Sequence, residues 1–239
     1  MTPALVSIVI PVYNEEQILE QAVQELFQNL EQFKERFCFE IVLAENGSTD
    51  NTLELGKQLA KQYKNLSIFH YPEPDYGLAL KEGIARTKGE FVVCDEIDLC
   101  LADYYCSALE IFGNTEVEMV VGSKTMSGSH DKRPLYRRFA TKTLNLLLRV
   151  ALRFKGSDTH GIKAFKKAAL MPILHKCKIG RDMFTSEFII RAERAGIMIK
   201  EIPIELEEKR PPAIGLVRRI PKVLTNILYL FWIIRIRHR

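Results

Sequence analysis

The sequence lacks the features of a secreted or disulfide-stabilised protein. Its 239 residues include five cysteines, an odd number, and no two of them form a Cys-x-x-Cys pair. The N-terminus shows no basic, signal-like leader. These absences predict reduced, mostly buried thiols in a cytoplasmic protein.

Long apolar runs are also missing. A membrane-spanning helix needs about 20 predominantly apolar residues, whereas the nearest candidate, residues 223–234, is interrupted by Thr225 and Asn226. We therefore expect no span within this sequence. The hydrophobic fraction of 47% and the charged fraction of 27% are those of an ordinary globular domain.

Glycine-rich phosphate loops are absent as well. Neither G-x-G-x-x-G nor G-x-x-x-x-G-K-[ST] occurs in the sequence, which disfavours dehydrogenases and P-loop enzymes. A nucleotide bound by this chain would need a metal ion to hold its phosphates.

Acidic residues are missing from two segments of the chain. Residues 132–155 carry eight Lys or Arg and no acid, and residues 210–239 carry seven Lys or Arg and no acid. The rest of the chain has 19 basic residues against 30 acidic ones, so the net charge of +4 conceals an acidic domain with two basic segments. This acidity and the lack of a recognition motif argue against a nucleic-acid partner.

Hydrophobic periodicity predicts strands alternating with helices over the first hundred residues. The predicted strands are residues 6–11, 39–44, 67–70 and 90–94, and the predicted helices are residues 15–33, 51–62 and 78–87. Farther along, the pattern predicts a helix at 104–112 and strands at 117–121 and 197–206. This order predicts an α/β fold with a mostly parallel central sheet and helices on both faces.

Polar residues follow these strands at their carboxyl ends, where parallel sheets bind ligands. Asp95, Glu96 and Asp98 follow the fourth strand. Clustered carboxylates repel one another unless a cation lies between them, and Mg²⁺ or Mn²⁺ takes oxygen ligands of this kind. A solvated acidic loop is the alternative for an isolated sequence of this type.

Two other strand ends carry candidate nucleotide-binding residues. Tyr13 and Glu15 follow the first strand, and Glu45 and Asn46 follow the second. An acid beside an amide can read the imide N–H and carbonyl edge of a base. A plain turn with a helix cap is the alternative for residues 46–50.

These segments together resemble the family 2 inverting glycosyltransferases, which have the GT-A fold. The matching segments are residues 11–15, residues 45–52, Gly77-x-Ala79-x-x-x-Gly83 and residues 89–98. In the second half, residues 158–165, 184–192 and 201–204 are similar to the dolichyl- or polyprenyl-phosphate mannose synthase branch. The resemblance covers about residues 5–210.

The resemblance implies roles for individual residues. Pro11, Tyr13 and Glu15 would frame the uridine or guanosine of a nucleotide-diphosphate sugar, with Glu45 and Asn46 at the base. Glu96 and Asp98, with Asp95 beside them, would form the catalytic centre and hold Mg²⁺ or Mn²⁺. A lipid phosphate is already ionised, so a general base is not obligatory. Candidates for binding that phosphate are Arg133, Arg137, Arg138, Lys209 and Arg210, and Glu187 and Asp182 are candidate bases for a hydroxyl acceptor.

The sequence departs from the family pattern at two places. The family usually has two aspartates where this chain has Glu45 and Asn46, and an Asp-x-Asp where this chain has Glu96 and Asp98. Each position that needs an oxygen ligand keeps one, so we expect activity to be retained.

Both basic segments are amphipathic. In residues 132–155 apolar side chains recur at helical spacing among the basic ones, as in helices that lie at a membrane interface. A core-packing helix with a basic outer face fits equally well. In residues 223–234 apolar side chains surround a whole turn, and an oligomer interface would bury them as well as a membrane would.

The sequence thus predicts a catalytic domain at residues 1–210 and a basic, apolar appendage with an interfacial helix at residues 211–239. The predicted activity is metal-dependent, inverting transfer of a hexose from a UDP- or GDP-sugar to a polyprenyl or dolichyl phosphate. The predicted place is the inner face of a membrane, bound peripherally. A saccharide or protein hydroxyl acceptor, or sugar-nucleotide binding without turnover, are the alternatives.

Overall fold

The computed structural model describes residues 3–131, 134–180, 183–206 and 216–236. The strands in these residues are β1 (Ala4–Val12), β2 (Phe37–Asn46), β3 (Leu66–Tyr71), β4 (Phe91–Cys94), β5 (Met119–Ser123), β6 (His130–Asp131), β7 (Lys163–Lys166), β8 (Ile199–Pro203) and β9 (Glu205–Leu206). The helices are α1 (Leu19–Glu31), α2 (Thr52–Gln62), α3 (Tyr76–Arg86), α4 (Ala102–Asn114), α5 (Leu135–Leu152), α6 (Lys167–Lys176), α7 (Phe184–Arg194) and α8 (Leu216–Phe231), which continues as a π-helix at Trp232–Ile236.

A mostly parallel sheet forms the centre of the protein. In the described residues it has seven strands in the order β3-β2-β1-β4-β7-β5-β8. β1 pairs in parallel with β2 and β4, and β2 pairs in parallel with β3. β7 is antiparallel to both β4 and β5, and β5 is parallel to β8. The predicted α/β fold is confirmed.

Alternation along β1 explains why both faces of the sheet are covered. Ile8 and Ile10 point to one face, where they pack with residues of α1, α2 and α4. Val9 points to the other face, where the core includes residues of α3 and α5 to α8. Successive strand residues face opposite sides of a sheet, so consecutive apolar residues such as Ile8, Val9 and Ile10 predict helices on both faces.

Two elements differ from the sequence prediction. β7 was not predicted because its four residues run directly into α6, which leaves no turn signal between them. The predicted strand at 197–206 is divided at Ile204 into β8, which joins the main sheet, and β9, which pairs with β6.

The basic segments form helices where they are described. Leu148 and Leu152 of α5 and Leu230 of α8 are buried in one shared core. Other apolar side chains on the same helices are exposed, among them Leu146 and Leu228. No helix within the described part of the chain is both long enough and apolar enough to cross a bilayer.

Candidate functional site

The carboxyl ends of four strands meet at one edge of the sheet. Val12 of β1 is in register with Glu45 of β2, which is in register with His70 of β3. On the other side of β1, Cys94 at the end of β4 is in register with Val9. The predicted nucleotide-binding residues and the predicted acidic turn therefore lie along the same edge.

The loops after β1 and β2 are tied together by hydrogen bonds. The backbone N–H of Asn14 donates to Ser48 Oγ at 3.0 Å, and the N–H of Thr49 donates to Asn14 Oδ1 at 2.8 Å. Asn14 has a left-handed backbone (φ 54°), which asparagine tolerates better than most residues. Gly47 also has positive φ, and a Cβ there would lie 3.0 Å from the backbone of Glu73 and Pro74. The loops that follow β1, β2 and β3 thus pack against one another, and together they form one wall of the candidate site.

The predicted nucleotide-binding residues lie along this wall, with unequal exposure. Tyr13 is exposed, whereas Pro11 is buried within β1. Glu15 is buried, and its backbone N–H donates to Thr52 Oγ1 at 2.7 Å. Asn46 is also buried. Among these residues and Glu45, Tyr13 is therefore the side chain with most surface for a ligand.

The Glu45 side chain has no exposed surface, and both of its carboxylate oxygens form hydrogen bonds inside the protein. Oε1 accepts the N–H of Ser48 at 2.5 Å, and Oε2 is hydrogen-bonded to His70 Nδ1. The His70 side chain is 45% exposed. His70 was not predicted as a site residue, although its place at the end of the third predicted strand is a signal that could have found it.

Asp95 lies at the end of β4 but points into the protein. Its carboxylate accepts hydrogen bonds from the Tyr105 hydroxyl and from the N–H groups of Glu96 at 2.7 Å and Leu101 at 3.1 Å. Burial raises the pKa of Asp95 to about 7. Through these contacts Asp95 stabilises the turn that carries Glu96 and Asp98.

Glu96 and Asp98 lie on the open side of that turn. Ile97 between them is buried, while Glu96 is exposed and Asp98 is half-buried. Across the described ranges, no group of three or more His, Cys, Asp or Glu residues is arranged to hold a metal ion. Two carboxylates with accessible surface fit a hard divalent cation, which prefers oxygen ligands.

A buried lysine lies next to this turn. Lys163 of β7 is opposite Cys94 of β4, and its ammonium donates to the carbonyl of Gly161 at 2.7 Å. Burial lowers the pKa of Lys163, while the charges of Glu96 and Asp158 oppose that effect. Asp158 is buried and lies 3.7 Å from the ammonium of Lys124. None of Lys124, Asp158 and Lys163 was predicted as a site residue.

The candidate base Glu187 is fully buried in α7. Its Oε1 accepts from Arg191 Nε at 2.7 Å, and its Oε2 accepts from the N–H groups of Lys178 at 2.8 Å and Ile179 at 2.7 Å. These contacts give Glu187 a structural role that joins α7 to the preceding loop. Asp182, the other candidate base, lies outside the described residues.

Two candidate residues for the acceptor phosphate lie in the first turn of α5. Arg138 is exposed and Arg137 is half-buried. Arg133, Lys209 and Arg210 lie outside the described residues.

The fold and the acidic strand end define the class of GT-A glycosyltransferases. The pattern of glycosyl transferase family 2 matches residues 7–174. The chain belongs to this family, and the predicted class of enzyme is confirmed.

Two relatives support this membership. The chain is 29% identical over 237 residues to glycosyltransferase AglD of Haloferax volcanii, a match that covers 98% of this chain and 38% of AglD. It is 29% identical over 217 residues to the dolichyl-phosphate beta-glucosyltransferase ALG5D of Trichomonas vaginalis, covering 85% of this chain and 66% of the relative. The chain thus spans less than two thirds of either relative's length.

Solved structures share the fold. The mannosyltransferase PcManGT of Pyrobaculum calidifontis, solved with GDP-Man and Mn²⁺, matches with a TM-score of 0.64 and 19% sequence identity. The match covers 100% of this chain and 66% of the PcManGT chain. Glucosyl-3-phosphoglycerate synthase of Mycobacterium tuberculosis, solved with Mn²⁺ and UDP-Glc, matches with a TM-score of 0.60 and 16% sequence identity. The match covers 96% of this chain and 79% of the synthase chain.

Proposed function

We propose that this chain is a metal-dependent, inverting glycosyltransferase that moves a hexose from a nucleotide-diphosphate sugar to a polyprenyl or dolichyl phosphate. The observation that carries the proposal is the acidic turn after β4 in a family 2 chain. Glu96 and Asp98 have accessible surface there, while Asp95 is held inside. Relatives named as dolichyl-phosphate glucosyltransferases support the choice of acceptor.

The donor lies along the carboxyl edge of the sheet in this proposal. Tyr13 lies after β1, and the Glu45–His70 pair spans the ends of β2 and β3. Glu96 and Asp98 lie after β4, on the other side of β1. We therefore propose that the nucleoside lies over β1 to β3 and the diphosphate at β4. Pro11, Glu15 and Asn46 act from within the wall and shape the nucleoside pocket.

Glu96 and Asp98 would hold Mg²⁺ or Mn²⁺, which stabilises the negative charge that grows on the diphosphate leaving group. The neighbouring structures solved with Mn²⁺ and a nucleotide sugar support this choice of cation. Lys163 is buried one strand away, close enough to the same turn for the charge of Glu96 to act on its pKa.

The reaction needs little proton transfer. A phosphate oxygen of the acceptor attacks C1 of the sugar from the face opposite the leaving group. The new C1–O bond forms while the bond from C1 to the diphosphate oxygen breaks, which inverts the configuration at C1 and releases the nucleoside diphosphate. The acceptor oxygen is already ionised at neutral pH, so the engagement of Glu187 in structural contacts is consistent with this acceptor.

The acceptor side of the proposal rests on α5 and α8. Leu146 and Val150 of α5 and Leu228 of α8 are 59%, 75% and 70% exposed, and the two helices share a core. Exposed apolar side chains on helices that carry many basic residues fit an anionic membrane surface. We assign Arg137 and Arg138, with Arg133, Lys209 and Arg210, to the acceptor phosphate.

In this proposal residues 1–210 are the catalytic domain and residues 211–239 contribute the interfacial helix. The enzyme works at the inner face of a membrane, to which these two helices bind peripherally.

Binding of UDP-glucose and GDP-mannose with and without Mn²⁺ tests the donor half of the proposal. We expect Asp98→Ala to remove the metal-dependent part of the affinity, at least tenfold, because it deletes one of two metal ligands. Asp103→Ala is the matched control, because Asp103 is an exposed aspartate on the neighbouring helix α4. Equal, Mn²⁺-dependent binding by all three proteins would overturn the metal assignment.

A further inference from the structure

We infer that His70 reads the nucleobase of the donor, and that Glu45 acts on the base only through His70. The inference rests on the proposed donor site and makes it more specific. It selects bases that carry a ring N–H, uracil or guanine, over cytosine and adenine.

The first step is the burial of Glu45. A carboxylate without exposed surface, whose oxygens accept from Ser48 N–H and bond to His70 Nδ1, has no lone pair directed at a ligand. His70 is the half-exposed member of the pair. The polar group that the strand edge offers to a base is therefore the far nitrogen of the His70 ring.

The hydrogen bond between His70 and Glu45 has a defined direction. An ionised carboxylate only accepts, so His70 Nδ1 must carry the hydrogen. In a neutral ring Nε2 is then an acceptor. No hydrogen bond to Nε2 occurs among the described residues. An acceptor at this point matches the N3–H of uracil or the N1–H of guanine, whereas the same ring positions of cytosine and adenine are themselves acceptors.

The position of the Glu45–His70 pair relative to the acidic turn also fits a nucleotide. His70 lies on β3, and the acidic turn follows β4, with β2 and β1 between them. Three strand spacings of about 4.8 Å give about 14 Å, which is close to the length of an extended nucleoside diphosphate. Tyr13, exposed after the intervening strand β1, offers a ring face along this path.

The test measures the affinities of UDP, CDP, GDP and ADP by titration calorimetry at pH 8 with Mn²⁺. Uracil and cytosine have the same size and differ only at O4/N4 and at the N3 hydrogen, so the ratio UDP to CDP reports hydrogen bonding at that edge. Guanine and adenine differ in the same way at position 6 and N1, and guanine also carries a 2-amino group. We expect at least one ratio to be tenfold or more in the wild type. His70→Ala should bring that ratio close to one, while His175→Ala, a second exposed histidine on α6, should leave it unchanged.

Two further variants separate base reading from a structural role. His70→Gln keeps one donor for Glu45 and one acceptor for the base, so it should restore most of the ratio. Glu45→Gln offers an amide N–H to His70 Nδ1, which turns Nε2 into a donor. This variant should shift the ratio toward CDP or ADP by tenfold or more relative to the wild type.

The outcomes distinguish this inference from the proposed function. Binding of UDP or GDP with a ratio that His70→Ala does not change would overturn the role of His70 and leave the proposed donor site intact. Failure of all four nucleotides to bind would overturn both. Circular dichroism of each variant confirms that the fold is retained.

Discussion

Tyr105 donates its phenolic hydrogen to the carboxylate of Asp95, and both groups are fully buried beneath the turn that carries Glu96 and Asp98. Burial raises the pKa of both side chains, to about 7 for Asp95 and well above the ordinary value of 10.0 for Tyr105. The acid that begins the acidic sequence is thus an internal support, and the two acids that follow it form the open face of the site.

Tyr105→Phe tests this support. Loss of the hydrogen bond should lower the free energy of unfolding by about 1–3 kcal/mol and weaken Mn²⁺-dependent donor binding several-fold. Tyr104→Phe is the matched control, because its hydroxyl is also buried but donates to the carbonyl of Val120 at 2.8 Å. It should lower stability alone. Equal effects of both variants on donor affinity would contradict the role of Asp95 as a support for the metal turn.

Glu187→Gln tests the structural role of Glu187. The variant removes one charge of a buried pair with Arg191, which should cost about 3–5 kcal/mol of stability. We expect a lower melting temperature but nearly unchanged kcat per folded molecule, measured well below the melting temperature. A folded variant with kcat reduced by a thousandfold or more would make Glu187 a catalytic base and favour a hydroxyl acceptor.

Lys163→Met tests the effect of burying a lysine beside the acidic turn. Burial lowers the pKa of Lys163 below its ordinary 10.5. The wild type is therefore most stable with respect to this group above pH 10.5, and it loses that stability as the pH falls through the folded pKa. We expect the variant to gain stability relative to the wild type at pH 7, and this gain to shrink toward pH 10.5. Urea denaturation at several pH values measures it.

Lys166→Met is the control for that series, because Lys166 lies on the same strand but is only half-buried. The Lys166 ammonium lies over the Phe112 ring, 5.9 Å from its centroid, and not inside the core, so Lys166→Met should not raise the stability at pH 7. A difference between Lys163→Met and the wild type that is constant from pH 7 to 10.5 would show that Lys163 does not titrate abnormally.

The pair Leu146→Glu and Leu228→Glu tests the membrane surface. Both side chains are exposed on the helices α5 and α8, and new negative charges should reduce co-sedimentation with vesicles of anionic phospholipid by tenfold or more. Met198→Glu, an exposed apolar residue that precedes β8, is the control. Unchanged sedimentation of the double variant would contradict the interfacial assignment, whereas donor binding should be the same in all three proteins.

Much of the fold could be predicted from the sequence, because β1 to β4 are apolar runs separated by amphipathic helices. The sheet then brings the strand ends to one edge by a general rule. The antiparallel direction of β7 could not be predicted, since it is set by pairing with β4 and β5, which are distant in sequence.

The sequence predicts which residues lie at the strand ends, but not how their side chains are oriented. Sequence patterns place Glu45 and Asp95 at strand ends, but they do not show that both side chains turn inward. That orientation depends on partners 25 and 10 residues away, His70 and Tyr105. Lys163 was missed for the same reason, because its burial beside the acidic turn depends on β7.

The most direct test of the central claim is transfer to a lipid phosphate. Purified protein is incubated with Mn²⁺, labelled UDP-glucose or GDP-mannose, and a short-chain polyprenyl phosphate in detergent. We predict label in the lipid phase with an equal amount of nucleoside diphosphate released, and none with Asp98→Ala. Release of nucleoside diphosphate without glycolipid, or glycosylation of a hydroxyl acceptor alone, would contradict the account.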